Sequence, residues 1–218
     1  MRNWFPWYEI RQPRNDAPTQ LHLHDDIGKD GTPVEQLMLE LNALGRREIE
    51  AHIDSNGGDA RTGMVVAKAL RDRAAPVRVV VDGVAANVSA FVALSGDELA
   101  MTPGSQLLLN DTFINDVTKS HGHLIRNHNR LSDSRGRMLN RTDQARVVNH
   151  VANAIADELT MRAGGSQLFW RQQMHNRTWY TAEEAVWAGL ADRIAWPEQA
   201  PTYRPVWARD PAWDPYYR

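Results

Sequence analysis

Asp82-Gly83-Val84-Ala85-Ala86-Asn87-Val88-Ser89-Ala90-Phe91-Val92-Ala93-Leu94 is the stretch on which the reading of this chain turns. It follows the β-branched run Val77 to Val81, which predicts a buried strand. The small residues then predict a tight turn, and the apolar run beyond Asn87 predicts a buried helix with no polar face. A strand, a small-residue turn and a buried helix let backbone approach a substrate closely. The free N–H groups at the helix N-terminus also face an anion there. In a hydrolase of this shape the turn residue would be a serine; here it is Asn87.

Upstream, Leu21-His22-Leu23-His24 alternates and predicts a strand with both leucines inward. His22 and His24 share its other face as a conceivable metal pair. With no third ligand nearby, two solvent-facing histidines are the preferred reading. Asp26 to Thr32 predicts a turn, with Thr32 as N-cap, Pro33 at the first helical position and Glu35 completing a capping box. The helix carries Leu37, Leu41 and Leu44 on one stripe and stops at Gly45. Glu48 to Ile53 predicts a strand, Asp54-Ser55-Asn56-Gly57-Gly58-Asp59 a sharp turn, and Ala60 to about Arg73 a helix. Strands separated by such crossovers predict a parallel sheet.

Downstream, short strands are expected at Glu98 to Met101 and Gln106 to Leu109, the latter delivering Asn110-Asp111. Residues 112–122 read as loop and 123–162 as a long helix. Its second half is patterned by Val147, Val148, Val151, Ala152, Ile155 and Leu159. Its first half carries Arg126, Arg130, Arg135, Arg137 and Arg141 and is too polar to lie on a core. Gly164-Gly165 ends it, Ser166 caps a short helix to His175, and Thr181 with Glu184 forms a capping box before Ala185. Residues 1–17 read as an N-terminal arm or short strand, 18–195 as one domain, and 196–218 as a Pro- and aromatic-rich extended tail.

The 218 residues suit one packed domain, and a net charge of −2 implies no nucleic-acid partner. The absence of cysteine excludes disulfides, thiolate metal sites and a thiol nucleophile. No apolar run is long enough for a membrane span, and the N-terminus lacks a secretory apolar core, so a cytoplasmic protein is expected. No cofactor or metal is implied.

Three motifs then carry a family likeness: Asp54-Ser55-Asn56-Gly57-Gly58-Asp59; Asp82-Gly83-Val84-Ala85-Ala86; and Thr181-Ala182-Glu183-Glu184-Ala185-Val186 with Gly189-Leu190-Ala191-Asp192. In this order and spacing the chain resembles the Clp protease proteolytic subunit (ClpP) family. It looks most like the related head-maturation (prohead) proteases of phages, as does its opening Trp7-Tyr8-Glu9-Ile10-Arg11. The resemblance implies an α/β fold, a ClpP/crotonase-like spiral of ββα units with a long handle helix at about residues 118–162. It also implies a heptameric ring or stacked rings and a Ser-His-Asp triad. Carried over, the serine position is Asn87, the histidine position Asn110 and the aspartate position Gln173, within one or two residues. Gly57, Gly58 and the Val88 N–H would form the oxyanion hole.

An asparagine has no hydroxyl to add to a carbonyl, and a second one is no general base. Ser89 is the fallback nucleophile, but two residues are about 200° around a helix, which turns it away from Asn87. Asp111 is a conceivable surviving acid. His121, His123, His128 and His150 read as solvated or packed. Three functions follow. The chain is an inactive ClpP-like subunit acting through a homo-oligomeric ring or beside an active subunit, an active ATP-independent serine endopeptidase for phage structural proteins, or, least favoured, a crotonase-like acyl-CoA enzyme. No docking hairpin is legible in residues 1–20, so no ATPase partner is expected.

Overall fold

A computed structural model describes residues 6–13, 17–28, 32–111 and 141–196. Strand β4 (Val77–Ala86) runs through the middle of an eight-stranded mixed sheet. On one side it pairs in parallel with β3 (Ile49–Gly58), which pairs in parallel with β2 (Thr19–Ile27), and β1 (Tyr8–Arg11) closes that edge antiparallel. On its other side β4 changes partner. Arg78 to Val81 pair with β5 (Glu98–Met101), while Val84 to Ala86 pair with β6 (Gln106–Leu109). The change falls at Asp82-Gly83, so the two halves of one strand serve two directions of the sheet. Strand β7 (Thr178–Thr181) pairs antiparallel with β6, and β8 (Arg193–Ile194) extends β5.

Among the described residues the helices are α1 (Val34–Ala43), α2 (Ala60–Arg71), α3 (Val88–Ala93), α4 (Arg141–Ala163), α5 (Gln167–His175) and α6 (Ala182–Trp187). Leu37, Leu41 and Leu44 are buried, as their helical stripe predicts. Ala152, Ala156 and Leu159 bring α4 onto the same core. All six residues of α3 are buried, Ser89 among them. Gly63 of α2 lets α3 in: a Cβ there would lie 2.3 Å from Val88 Cγ2. The Thr181–Glu184 capping box and the Ser166 cap form as expected.

Several local expectations are corrected. Helix α1 starts one residue later: Pro33 is its N-cap residue, and no side-chain hydrogen bond caps it. Pro33 is extended, with ψ 137°, so the first helical residue is Val34. The sharp turn expected at Asp54 to Gly58 is strand, because β3 continues to Gly58. Likewise β4 continues past Val81 to Ala86. The small residues allow close strand approach rather than reversal. A Cβ on Gly58 would lie 2.4 Å from the Ile27 backbone, and one on Gly83 2.4 Å from Asp54 Oδ1. In the N-terminal segment, Trp7 is only 1% exposed and Tyr8 begins β1, so this part packs on the domain. Strand β8 has no counterpart in the sequence reading. Residues 112–140 and 197–218, with the polar handle half and the tail, lie outside the described residues.

Candidate active site

With both flanking strands longer than read, the turn between β4 and α3 shrinks to one residue. Asn87 takes it at φ 57°, ψ −127°, a conformation side chains rarely adopt. Ser89 holds the elbow from beneath. Its Oγ accepts the Ala86 N–H at 2.9 Å and lies 2.6 Å from the Ser55 carbonyl and 2.8 Å from that of Ala86. Gly57 clears the space in front: a Cβ on it would lie 2.8 Å from Asn87 Cβ. Backbone from β3, β4 and α3 thus over-determines a strained residue whose side chain is an amide.

That amide is engaged at both ends. Asn87 Nδ2 donates to the Asn56 carbonyl at 2.6 Å, and Asn87 Oδ1 accepts from Asn110 Nδ2. Asn110 sits just after β6, the strand that pairs with the upper half of β4, and this placement brings residues 23 apart into contact. Beside the pair, Met64, Phe91, Leu94, Leu109, Ile155 and Met174 line a small apolar pocket. It is enclosed by α2, α3, β6, α4 and α5.

The Clp protease family model, described as "Clp protease", matches residues 21–198. The chain belongs to the Clp protease family. Among solved structures it is similar to a ClpP1 mutant from Listeria monocytogenes, with a TM-score of 0.63 and 14% identity over 82% of this chain and 92% of that one. At that identity the likeness speaks for the fold. No curated protein matches.

Within the Clp protease fold, the residues that the resemblance carries over are arranged as follows. Asn87 and Asn110 meet. Gln173, on α5, turns its Oε1 to the Tyr180 hydroxyl, which donates at 3.2 Å, and its carbonyl accepts from Thr178 Oγ1 at 2.9 Å. Burial and the nearby Glu184 hold Tyr180 above the usual phenol range, so it stays a donor. Ser89 is fully buried and absent from the pocket lining, though the helical-angle argument does not apply, because Asn87 lies outside α3. Of the expected oxyanion donors, Gly57 donates its N–H to Ser55 Oγ at 3.2 Å inside the core rather than facing a groove. Gly58 pairs with Ile27 in the β2 ladder, and Val88 opens α3 beside the pocket.

Asp111 follows Asn110 but faces elsewhere. It is 5% exposed, and its Oδ1 accepts from Arg171 at 2.7 Å while its N–H bonds to the Met174 carbonyl. Burial pushes its carboxyl up, against the downward pull of Arg171 and His175. Sequence reasoning missed Arg171, and 60 residues of separation leave no local signal for the pairing. His150 is exposed on α4, and His121, His123 and His128 lie outside the described residues. Among the described residues no group of three or more His, Cys, Asp or Glu is placed to hold a metal. None of their helices is long and apolar enough to cross a membrane.

The expected solvent-facing histidines of β2 are corrected too. His22 and His24 are half-buried, and His22 stacks on His52 of β3. The parallel register sets the two rings side by side.

Proposed function

We propose that this Clp protease-family chain is a catalytically inactive subunit. It acts through ring assembly, or as a structural or regulatory partner of an active ClpP-like subunit. The observation that carries this reading is the Asn87–Asn110 amide pair at the elbow. Acyl transfer needs a group there that can lose a proton and add to a carbonyl, and a neighbour that can take the proton. Two amides bonded to each other supply neither. Gln173 in the aspartate position orients no imidazole. Val88 still opens α3 beside the small apolar pocket, so the elbow keeps its shape without the reacting groups.

The phage-type likeness of Trp7 to Arg11 supports work with phage structural proteins in the host cytoplasm. The proposed assembly is a heptamer or stacked rings, with residues 118–145 contacting a facing subunit. The decisive experiment treats the purified chain with short fluorogenic peptides and a serine-directed phosphonate. Turnover at background and no adduct are expected. A covalent adduct at Ser89 would overturn the proposal.

A further inference from the structure

The outer face of the sheet, away from the amide pair, carries a cluster that the proposed function does not use. His22 on β2 and His52 on β3 are register partners, with ring centroids 4.9 Å apart and planes 17° from parallel. His52 is bracketed: Nδ1 lies 2.9 Å from Asp82 Oδ2 on β4, and Nε2 lies 3.2 Å from Glu50 Oε1 on its own strand. His22 has no such bracket. Its Nε2 is buried with no hydrogen-bond partner among the described residues. The other charged groups of this face are Glu9 and Arg11 on β1, paired at 2.6 Å; the His24–Asp54 register pair; and Arg78 on β4, which lies near Glu48 and Glu98.

The same strand pair supports the glycine segment beside Asn87. After His24 the β2 ladder shifts register, and Asp25, at φ 57°, presents its carbonyl to Ser55 Oγ at 2.5 Å. Asp26 and Ile27 then pair with Gly57 and Gly58, and the Ile27 carbonyl accepts the Asp59 N–H at 2.8 Å. We propose that the stacked His22–His52 pair is a pH-sensitive latch between β2 and β3, whose release loosens the Gly57–Gly58 segment. With His52 charged and His22 neutral, the stack is bracketed by acids at His52, while beside His22 lies Glu9, already paired with Arg11. A second proton puts two stacked cations into a half-buried site with no acceptor at His22 Nε2. Loss of the first proton removes the ionic brace to Asp82 and Glu50.

The directions of titration agree with that geometry. Asp82, bonded to Nδ1, holds His52 above the ordinary imidazole range. Burial, then the His52 charge, holds His22 below it. A raised His52 contributes stability that is lost as pH rises through its folded value. A depressed His22 contributes stability that is lost as pH falls through its folded value. Protection of the β2–β3 seam is therefore bell-shaped in pH, with its maximum between the two titrations. The latch does not depend on whether the amide site binds or cleaves anything.

Hydrogen-exchange mass spectrometry of the full chain tests it, with each rate normalised to its intrinsic pH dependence. Peptides spanning 19–28 and 49–59 should lose protection several-fold on both sides of the maximum, while 98–109 stay flat. His22→Phe, which keeps a ring but cannot be protonated, should remove the acid limb alone. Asp82→Asn should shrink the alkaline limb. If His22→Phe does not fold, His22→Gln and the wild-type profile decide. Protection that is flat from pH 8 to 5, or an acid limb that survives replacement of His22, overturns the latch.

Discussion

Asn87 holds a strained elbow conformation while carrying a side chain that cannot act as a nucleophile. Its backbone is fixed by Ser89, Ala86 and Gly57, none of which senses the side chain's chemistry. Asn87→Ser alone should therefore fold and remain at background in peptide hydrolysis, because Asn110 offers no base. Turnover by that single variant would show that another group takes the proton. Ser89 is the opposite case, a hydroxyl used for architecture. Ser89→Ala leaves the Ala86 N–H without its buried acceptor and should cost about 1–3 kcal/mol in urea unfolding. An unchanged midpoint would show that the elbow does not need that bond.

Between elements, two contacts position the site. Gly63 brings α2 against α3, and Gly63→Ala would force Val88 to move, at about 1–3 kcal/mol by overpacking. Arg171 ties α5 to the end of β6 through Asp111. Arg171→Gln leaves a buried carboxyl without its cation and should destabilise by roughly 3 kcal/mol at neutral pH. The sign with pH follows from the raised Asp111. Without Arg171 its folded value climbs further, so the loss appears as pH rises through that value and fades in acid, where the carboxyl is protonated in both states. Chemical denaturation of both proteins at pH 4 and 7 measures this, and an equal loss at the two pH values would exclude the carboxyl as its source.

For the whole molecule, the proposal rests on assembly. The sequence from Arg126 to Arg141 is rich in arginine and poor in apolar residues, and contacts made through such a row are screened by salt. Sedimentation velocity should show the larger species falling to single rings or smaller as ionic strength rises. A monomer at every salt concentration would exclude the ring. Deleting residues 197–218 should leave the domain's melting unchanged and alter assembly or solubility, because the sequence there interleaves its aromatics with proline.

The sequence by itself determined the order of strands and helices as far as α6, the inward leucines of α1 and β2, and the Ser166 and Thr181 caps. These are legible because periodicity and capping act within a few residues. Only the tertiary structure decided where β3 and β4 end. Glycine and alanine are turn residues until a neighbouring strand comes close enough to need the missing Cβ. It alone joined Asn87 to Asn110, Asp111 to Arg171 and His22 to His52, since each contact spans 23 to 60 residues and is created by strand pairing or helix packing that no local pattern encodes.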